Sequence, residues 1–278
     1  MPGLGDYRVA IIGAGKIGRA FIRVLNGQVR EILATGRREE TLARAQELGA
    51  VPLTDNGRAA SMADIVILSV KPYHLPQVVN DIAPYVDGKI VVSIIAGVRR
   101  ATVQARLSGA TVFRAMPNIN ALIGGSTTAI ARFSDYDPRD MRLVEDLFKL
   151  MGRVYWIPEE WLDTWTGLVG SGPAYLAEII DALVLGAVSM GLPREVAYDA
   201  ILDVMENTSR LLRESDRHPA ELRDEVTTPA GTTIHGLKEL EARGVKAALM
   251  NVVEAASRRG RDLGVEIDRA VREALGLE

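Results

Sequence analysis

The chain of 278 residues contains no cysteine. That removes a disulfide scaffold, a thiolate zinc site and a cysteine nucleophile together. It also lacks long runs of like charge, because 33 basic residues against 36 acidic ones give a dispersed net charge of -3. Neither a nucleic-acid footprint nor an anionic-membrane footprint is expected, and a small solute is the expected partner. No basic leader with an apolar stretch and cleavage site opens the sequence. No apolar window approaches the ~20 uncharged residues that span a bilayer, since Glu178 and Asp181 interrupt the best one, at 176–192. The expectation is a cytoplasmic protein without a membrane span. His74, His218 and His235 show no metal spacing such as HExxH, so no metal is expected. Repeats and low-complexity tracts are absent. With 47% hydrophobic residues, the chain is long enough for two domains.

Up to about Pro158, short apolar runs at 9–12, 32–34, 65–68, 90–92 and 112–113 alternate with amphipathic stretches at 18–26, 40–48, 75–85 and 102–107. Continuous apolarity predicts strands covered on both faces, hence a parallel sheet flanked by helices. Beyond 158 the β-branched runs fade, and helical periodicity takes over at 161–190, 195–214, 233–243 and 245–263. The expected fold is α/β, a doubly wound Rossmann-type N-terminal domain (1–158) followed by an all-helical domain (159–278). The 161–190 stretch is apolar nearly all round, carrying Leu176, Ile179, Ile180, Leu183, Val184, Leu185 and Val188. A helix with so little polar face sits inside something. A second chain wrapped around it explains the pattern better than a single small domain, so a homodimer or higher homo-oligomer is expected.

Gly13-Ala14-Gly15-Lys16-Ile17-Gly18 follows the first strand and opens a helix. In that context Gly13 permits a tight turn, Gly15 lets backbone approach a pyrophosphate and Gly18 lets helix pack on strand, while the helix N-terminus binds the phosphates. An acidic residue about 20 positions on would accept hydrogen bonds from the ribose 2′-OH of NAD. Thr35-Gly36-Arg37-Arg38 stands there instead. Two guanidinium groups suit a 2′-phosphate, so NADPH is favoured over a weaker NADH. The alternative is that Arg37 and Arg38 only flank the next helix and pair with Glu39 and Glu40.

Several stretches together resemble the pyrroline-5-carboxylate reductase family. They are the glycine turn, Ser69-Val70-Lys71-Pro72, Ala96-Gly97-Val98, Met116-Pro117-Asn118, the run from Gly167 to Tyr175, Met190-Gly191-Leu192-Pro193-Arg194, His218 to Asp224, and Thr227-Thr228-Pro229-Ala230-Gly231-Thr232-Thr233-Ile234-His235-Gly236-Leu237. Two positions depart from the family pattern: Ile119-Asn120 stand where Thr-Pro is usual, and Ala230 replaces the first of two glycines. The resemblance implies reduction of 1-pyrroline-5-carboxylate to L-proline, the last step of proline biosynthesis, by hydride transfer from NADPH to a cyclic imine. It also implies a helical dimerisation domain. For the cofactor it implies Gly13 to Gly18, Arg37, Arg38, Asn56, Ser69, Val70, Lys71, Pro72, Ala96, Gly97 and Asn118.

For the substrate, residues and resemblance converge on Thr228, Gly231, Thr232, Thr233 and Lys71. Small residues before the 234–240 helix leave backbone amides facing a ligand, and the helix N-terminus can hold a carboxylate. Thr233 offers a hydroxyl to a ring nitrogen and is the expected catalytic residue. Read alone, the same segment also fits an ordinary helix start capped by threonine. Asn56 is expected near the adenine ribose or as a plain turn residue. A reductase of a β-hydroxyacid or of another imine, and a non-catalytic NADP-binding sensor, are the alternatives; the absence of lysine from 161–190 counts against the β-hydroxyacid reading.

Overall fold

In the computed structural model, which describes residues 3–277, the apolar runs form the middle of one eight-stranded sheet. β1 (Arg8–Ile12), α1 (Lys16–Leu25), β2 (Glu31–Thr35), α2 (Glu39–Glu47), β3 (Val51–Leu53), α3 (Asn56–Met62) and β4 (Ile65–Leu68) come first. They are followed by α4 (Leu75–Ile82), β5 (Ile90–Ser93), α5 (Arg100–Arg106), β6 (Thr111–Met116), β7 (Ser126–Ala131), α6 (Pro138–Lys149) and β8 (Gly152–Ile157). The strand order is β3-β2-β1-β4-β5-β6-β7-β8. β1 to β6 are parallel throughout. β7 runs antiparallel to β6 and parallel to β8, a pair of strands that the apolar runs do not announce.

Side-chain alternation explains why these strands are apolar at every position. Val9, Ile11, Ile65, Ile67 and Phe113 face one layer, with Phe21 of α1 and Val144, Leu147 and Phe148 of α6. Ala10, Ile12, Val66, Leu68 and Val112 face the other, with α3, α4 and α5. Burying each such side chain contributes about 1.5–3 kcal/mol, so a polar residue at any of them would be costly. Phe21 and Phe148 meet edge to face, centroids 5.3 Å apart.

The helices after β8 are α7 (Leu162–Trp165), α8 (Gly172–Ser189), α9 (Arg194–Ser215), α10 (Pro219–Glu225), α11 (Thr232–Ala242) and α12 (Val245–Leu275). The expected helix over 161–190 forms as one helical run that widens in its middle. A wide turn at Thr166–Gly170, in which Ser171 N–H donates to Thr166 O at 2.9 Å, lies between α7 and α8. α12 runs past the expected end at 263 and buries Val271 and Leu275 against the sheet.

By packing, the chain forms two compact units. One comprises the chain up to Ser171 together with the segment from Ala255 onward, and the other is Gly172–Glu254. The reason is packing: Leu162 is buried against Met116, Ala129 and Ala131, and the end of α12 covers a sheet face. By length and composition the stretch Glu159–Ser189 passes as a membrane span, contrary to the sequence expectation. Its longest element, α8, carries Glu178 and Asp181 mid-helix, and carboxylates there would cost several kcal/mol in lipid.

Candidate active site

The loops after β1, β2, β3, β4, β5 and β6 lie along the carboxyl edge of the parallel strands, and strand order reverses between β1 and β4, where such sheets hold ligands. The glycine turn sits at that point. Gly13 has φ 98°, and a Cβ on it would lie 2.7 Å from Ser69 O and 2.8 Å from Val70 Cγ1. A Cβ on Gly18 would lie 2.3 Å from Gly13 O, so α1 rests directly on the turn. At Gly15, the N-cap of α1, a Cβ would meet nothing within 4 Å, and no side chain caps the helix. The turn is therefore packed from behind by Ser69 and Val70 and open in front. Uncapped amides at Lys16 and Ile17 stand where a pyrophosphate would accept hydrogen bonds, so the chain fits a dinucleotide.

A hydrogen-bond chain fixes the turn to its neighbours. Ala14 N–H donates to Thr35 O at 2.8 Å and Gly13 N–H to Thr35 Oγ1 at 3.3 Å. Thr35 Oγ1 donates to Asn56 Oδ1 at 2.8 Å, and Asn56 Nδ2 to Asp81 Oδ2 at 3.0 Å. Asn56 is thus the first residue of α3, capped by Asp55, rather than a free turn residue, and it braces β2 against α3 and α4.

Arg37 and Arg38 are exposed, and among the described residues neither is in an ion pair. Glu40 pairs with Arg44 at 2.6 Å rather than with either arginine, and Arg38 is the N-cap residue of α2. Lys71 is exposed and caps the one-turn segment Pro72–His74. Nothing in the sequence marks His74, yet its ring is held below its ordinary proton affinity, first by burial and then by the charge of Arg37. The two residues belong to different crossovers, so no local pattern could have paired them.

Ala96 is exposed beside Gly97, which has φ 80° and whose Cβ would lie 3.1 Å from Ile267 Cδ1 and 3.3 Å from Gly264 Cα. The close approach of α12 explains that glycine without a cofactor, and Arg99 N–H donating to Asp268 Oδ1 at 2.8 Å completes the contact. Asn118 is 6% exposed, and its amide is used within the fold. It accepts from Thr127 N–H and donates to Val169 O, both at 3.3 Å, bracing the wide turn before α8.

In the helical unit, Thr228-Pro229-Ala230-Gly231 is a turn closed by Gly231 N–H to Thr228 O at 3.1 Å. Proline second and positive φ third are the requirements of a type II turn. Ala230, at φ 56°, meets the second at a cost that glycine would avoid. Ala230→Gly should therefore raise stability by about 0.5–1 kcal/mol after subtracting the extra flexibility of glycine; denaturant unfolding that shows a loss instead would mean the turn is unstrained. Gly231 has no room for a side chain, since its Cβ would lie 2.3 Å from Thr228 Oγ1. It is also the N-cap of α11 and no side chain caps the helix, so the ordinary threonine cap is not formed. Thr232 is exposed, Thr233 half-buried, and His235 Nδ1 lies 2.8 Å from Gly231 O. Within Gly172–Glu254 the buried residues are Val184 and Ala197, while Leu176, Leu183, Leu185 and Met190 stay exposed.

Comparison with known proteins matches the two parts of the chain separately. The description "Pyrroline-5-carboxylate reductase dimerisation" matches residues 159–263, and "NADP oxidoreductase coenzyme F420-dependent" matches residues 8–97. A pyrroline-5-carboxylate reductase of Thermus thermophilus is 41% identical over 264 residues, 92% of this chain and 98% of that protein. One from Synechocystis is 36% identical over 93% of this chain and 99% of its own length. Among solved structures, Plasmodium falciparum pyrroline carboxylate reductase with NADP bound superposes with a TM-score of 0.85 at 26% identity, covering 94% of this chain and 100% of that one. The chain belongs to the pyrroline-5-carboxylate reductase family.

Proposed function

We propose that the protein reduces 1-pyrroline-5-carboxylate to L-proline with NADPH, the last step of proline biosynthesis, and that it works as a homo-oligomer built on dimers. The observation that carries the reading is the uncapped helix start at Gly231, with Thr233 one residue inside it, in a chain that also holds an open glycine turn at Gly15. Its functional division is cofactor binding by 1–158 and substrate binding and dimerisation by 159–278, with a cytoplasmic location.

When bound, the reduced nicotinamide supplies the hydride. The amides of Thr232 and Thr233, together with the Thr228 to Gly231 turn, hold the substrate carboxylate at the positive end of α11. The Thr233 hydroxyl hydrogen-bonds the ring nitrogen. A ring held at two points cannot swing its imine carbon away from the donor, and such positioning is worth about 7–11 kcal/mol in well-oriented pairs. As that carbon takes the hydride, the C=N electron pair moves onto the nitrogen, which in the protonated imine already carries its proton. No acid–base pair is needed for that step. Lys71, exposed at the end of β4, adds positive charge for cofactor or substrate.

Thr233→Ala keeps the backbone amides and deletes one hydrogen bond. Steady-state kinetics should show kcat/KM reduced ~10- to 100-fold, the loss of ~1.4–2.8 kcal/mol from the transition state, with NADPH affinity unchanged. Wild-type efficiency, or an equal loss of NADPH affinity, would remove Thr233 from this role. Substituting Arg37 and Arg38 together by alanine should raise KM for NADPH at least ~10-fold while leaving KM for NADH nearly constant. Equal effects on both cofactors would show that the pair does not read the 2′-phosphate.

A further inference from the structure

His74 ends the turn Pro72–His74 and precedes α4 without giving that helix a side-chain cap. Its Nε2 is closed off from solvent and has no hydrogen-bond partner. Tyr73 packs beside the ring, centroids 4.1 Å apart. A buried nitrogen without a partner is uncommon and asks for an explanation. The second fact is the neighbour: Arg37, from the loop after β2, lies close enough for its charge to bear on the ring, although β1 separates β2 from β4 in the sheet.

Other charged groups nearby are engaged or exposed. Asp81 on α4 accepts from Asn56 and Gln77. Asp55 caps α3, and Arg106 of α5 donates to Asn80. Arg38 and Lys71 are exposed. A cationic side chain and an ionisable ring brought together from two crossovers, with no carboxylate among the described residues paired to either, form a site prepared for an anion.

We infer that His74, together with Arg37, binds the 2′-phosphate of NADP(H) and takes up a proton when that phosphate arrives. The inference rests on the NADP(H) reading above and deepens it. In the free protein burial, and then Arg37, oppose the ring's charge and hold its proton affinity below the ordinary value. A dianion between the two groups reverses that field and gives Nε2 an acceptor, so the bound ring has the higher proton affinity. The gain in binding is then complete below the pKa of the free ring and is lost as pH rises through the pKa of the bound ring. NADPH should bind more tightly as pH falls from about 8 to about 7, a range in which the phosphate stays largely dianionic and a ligand without it is unaffected.

The test uses the full chain and two probes, 2′,5′-ADP and 5′-AMP, which differ in that phosphate alone. Titration calorimetry near pH 7.5, where the free phosphate is largely dianionic, is run in two buffers of different ionisation enthalpy. Net proton uptake on binding 2′,5′-ADP, and none on binding 5′-AMP, is the expected result, and it needs no variant. His74→Gln should abolish the uptake and weaken 2′,5′-ADP roughly tenfold at about pH 7, with 5′-AMP unchanged. If the protein binds the two probes equally, the NADP(H) reading fails and the inference with it. If 2′,5′-ADP is preferred but no proton is taken up and His74→Gln binds it like the parent, the inference alone is overturned.

Discussion

Gly15→Ala should leave the fold standing and weaken cofactor binding by at least ~100-fold. Gly15 has φ -70° and ψ -161°, which alanine adopts without strain, and its Cβ would meet no atom within 4 Å. Thermal stability should therefore change by no more than about 1 kcal/mol, the margin between glycine and alanine at a helix N-cap. The added methyl occupies the open front of the turn and keeps a pyrophosphate from reaching the amides of α1. Losing two charge-assisted hydrogen bonds of about 1.5–3 kcal/mol each should weaken NADPH by at least ~100-fold. Gly18→Ala makes the contrast, because its Cβ would lie 2.3 Å from a backbone carbonyl and must disturb the fold itself. Fluorescence titration beside a thermal melt separates the cases. Unchanged NADPH affinity in Gly15→Ala would mean that the turn does not hold the phosphates.

The second large effect is on stability. Arg114 on β6 is 4% exposed, and its Nη1 donates to Glu159 Oε1 at 3.0 Å. The same oxygen accepts the backbone N–H of Arg100 at 2.8 Å, while Arg114 Nε is buried without a partner. Glu159→Ala would strand a buried guanidinium and an amide at once. Breaking a buried pair from one side costs about 3–5 kcal/mol. For a chain of this size that should lower Tm by roughly 6–20 °C. Glu159→Gln keeps an acceptor for both donors and should fall well short of that loss. Equal melting of the alanine variant and the parent would show that solvent reaches Arg114 and the pair carries little.

The legible part of the fold is the part whose cause is local. β1 from Val9 onward and the whole of β4 read as strands because both their faces are buried, which leaves no polar position there to confuse the pattern. β7 was hidden because Ser126 and Thr128 are buried polar residues that bond to each other at 3.0 Å, so the strand shows neither continuous apolarity nor alternation. The widening between α7 and α8 has neighbours from far along the chain. A Cβ on Gly167 would lie 2.4 Å from Ser257 Oγ, and Asn118 holds Val169, and neither contact leaves a trace in the helical periodicity of 161–190. The site divides in the same way. The glycine turn, Arg37 and Arg38 are contiguous signals. The bracing roles of Asn56 and Asn118 and the meeting of His74 with Arg37 depend on strand order.

The scarcity of buried residues in Gly172–Glu254 has a consequence for how variants of this protein combine. A unit that hides two side chains by itself owes its stability to mass action, so its folding equilibrium contains the protein concentration. Dilution then acts as a denaturant of that unit, and two alleles expressed together would share their fate. A copy damaged only in the sheet unit still lends its helices to an intact partner, whereas a copy damaged in the helical unit withdraws stability from every chain it should have joined.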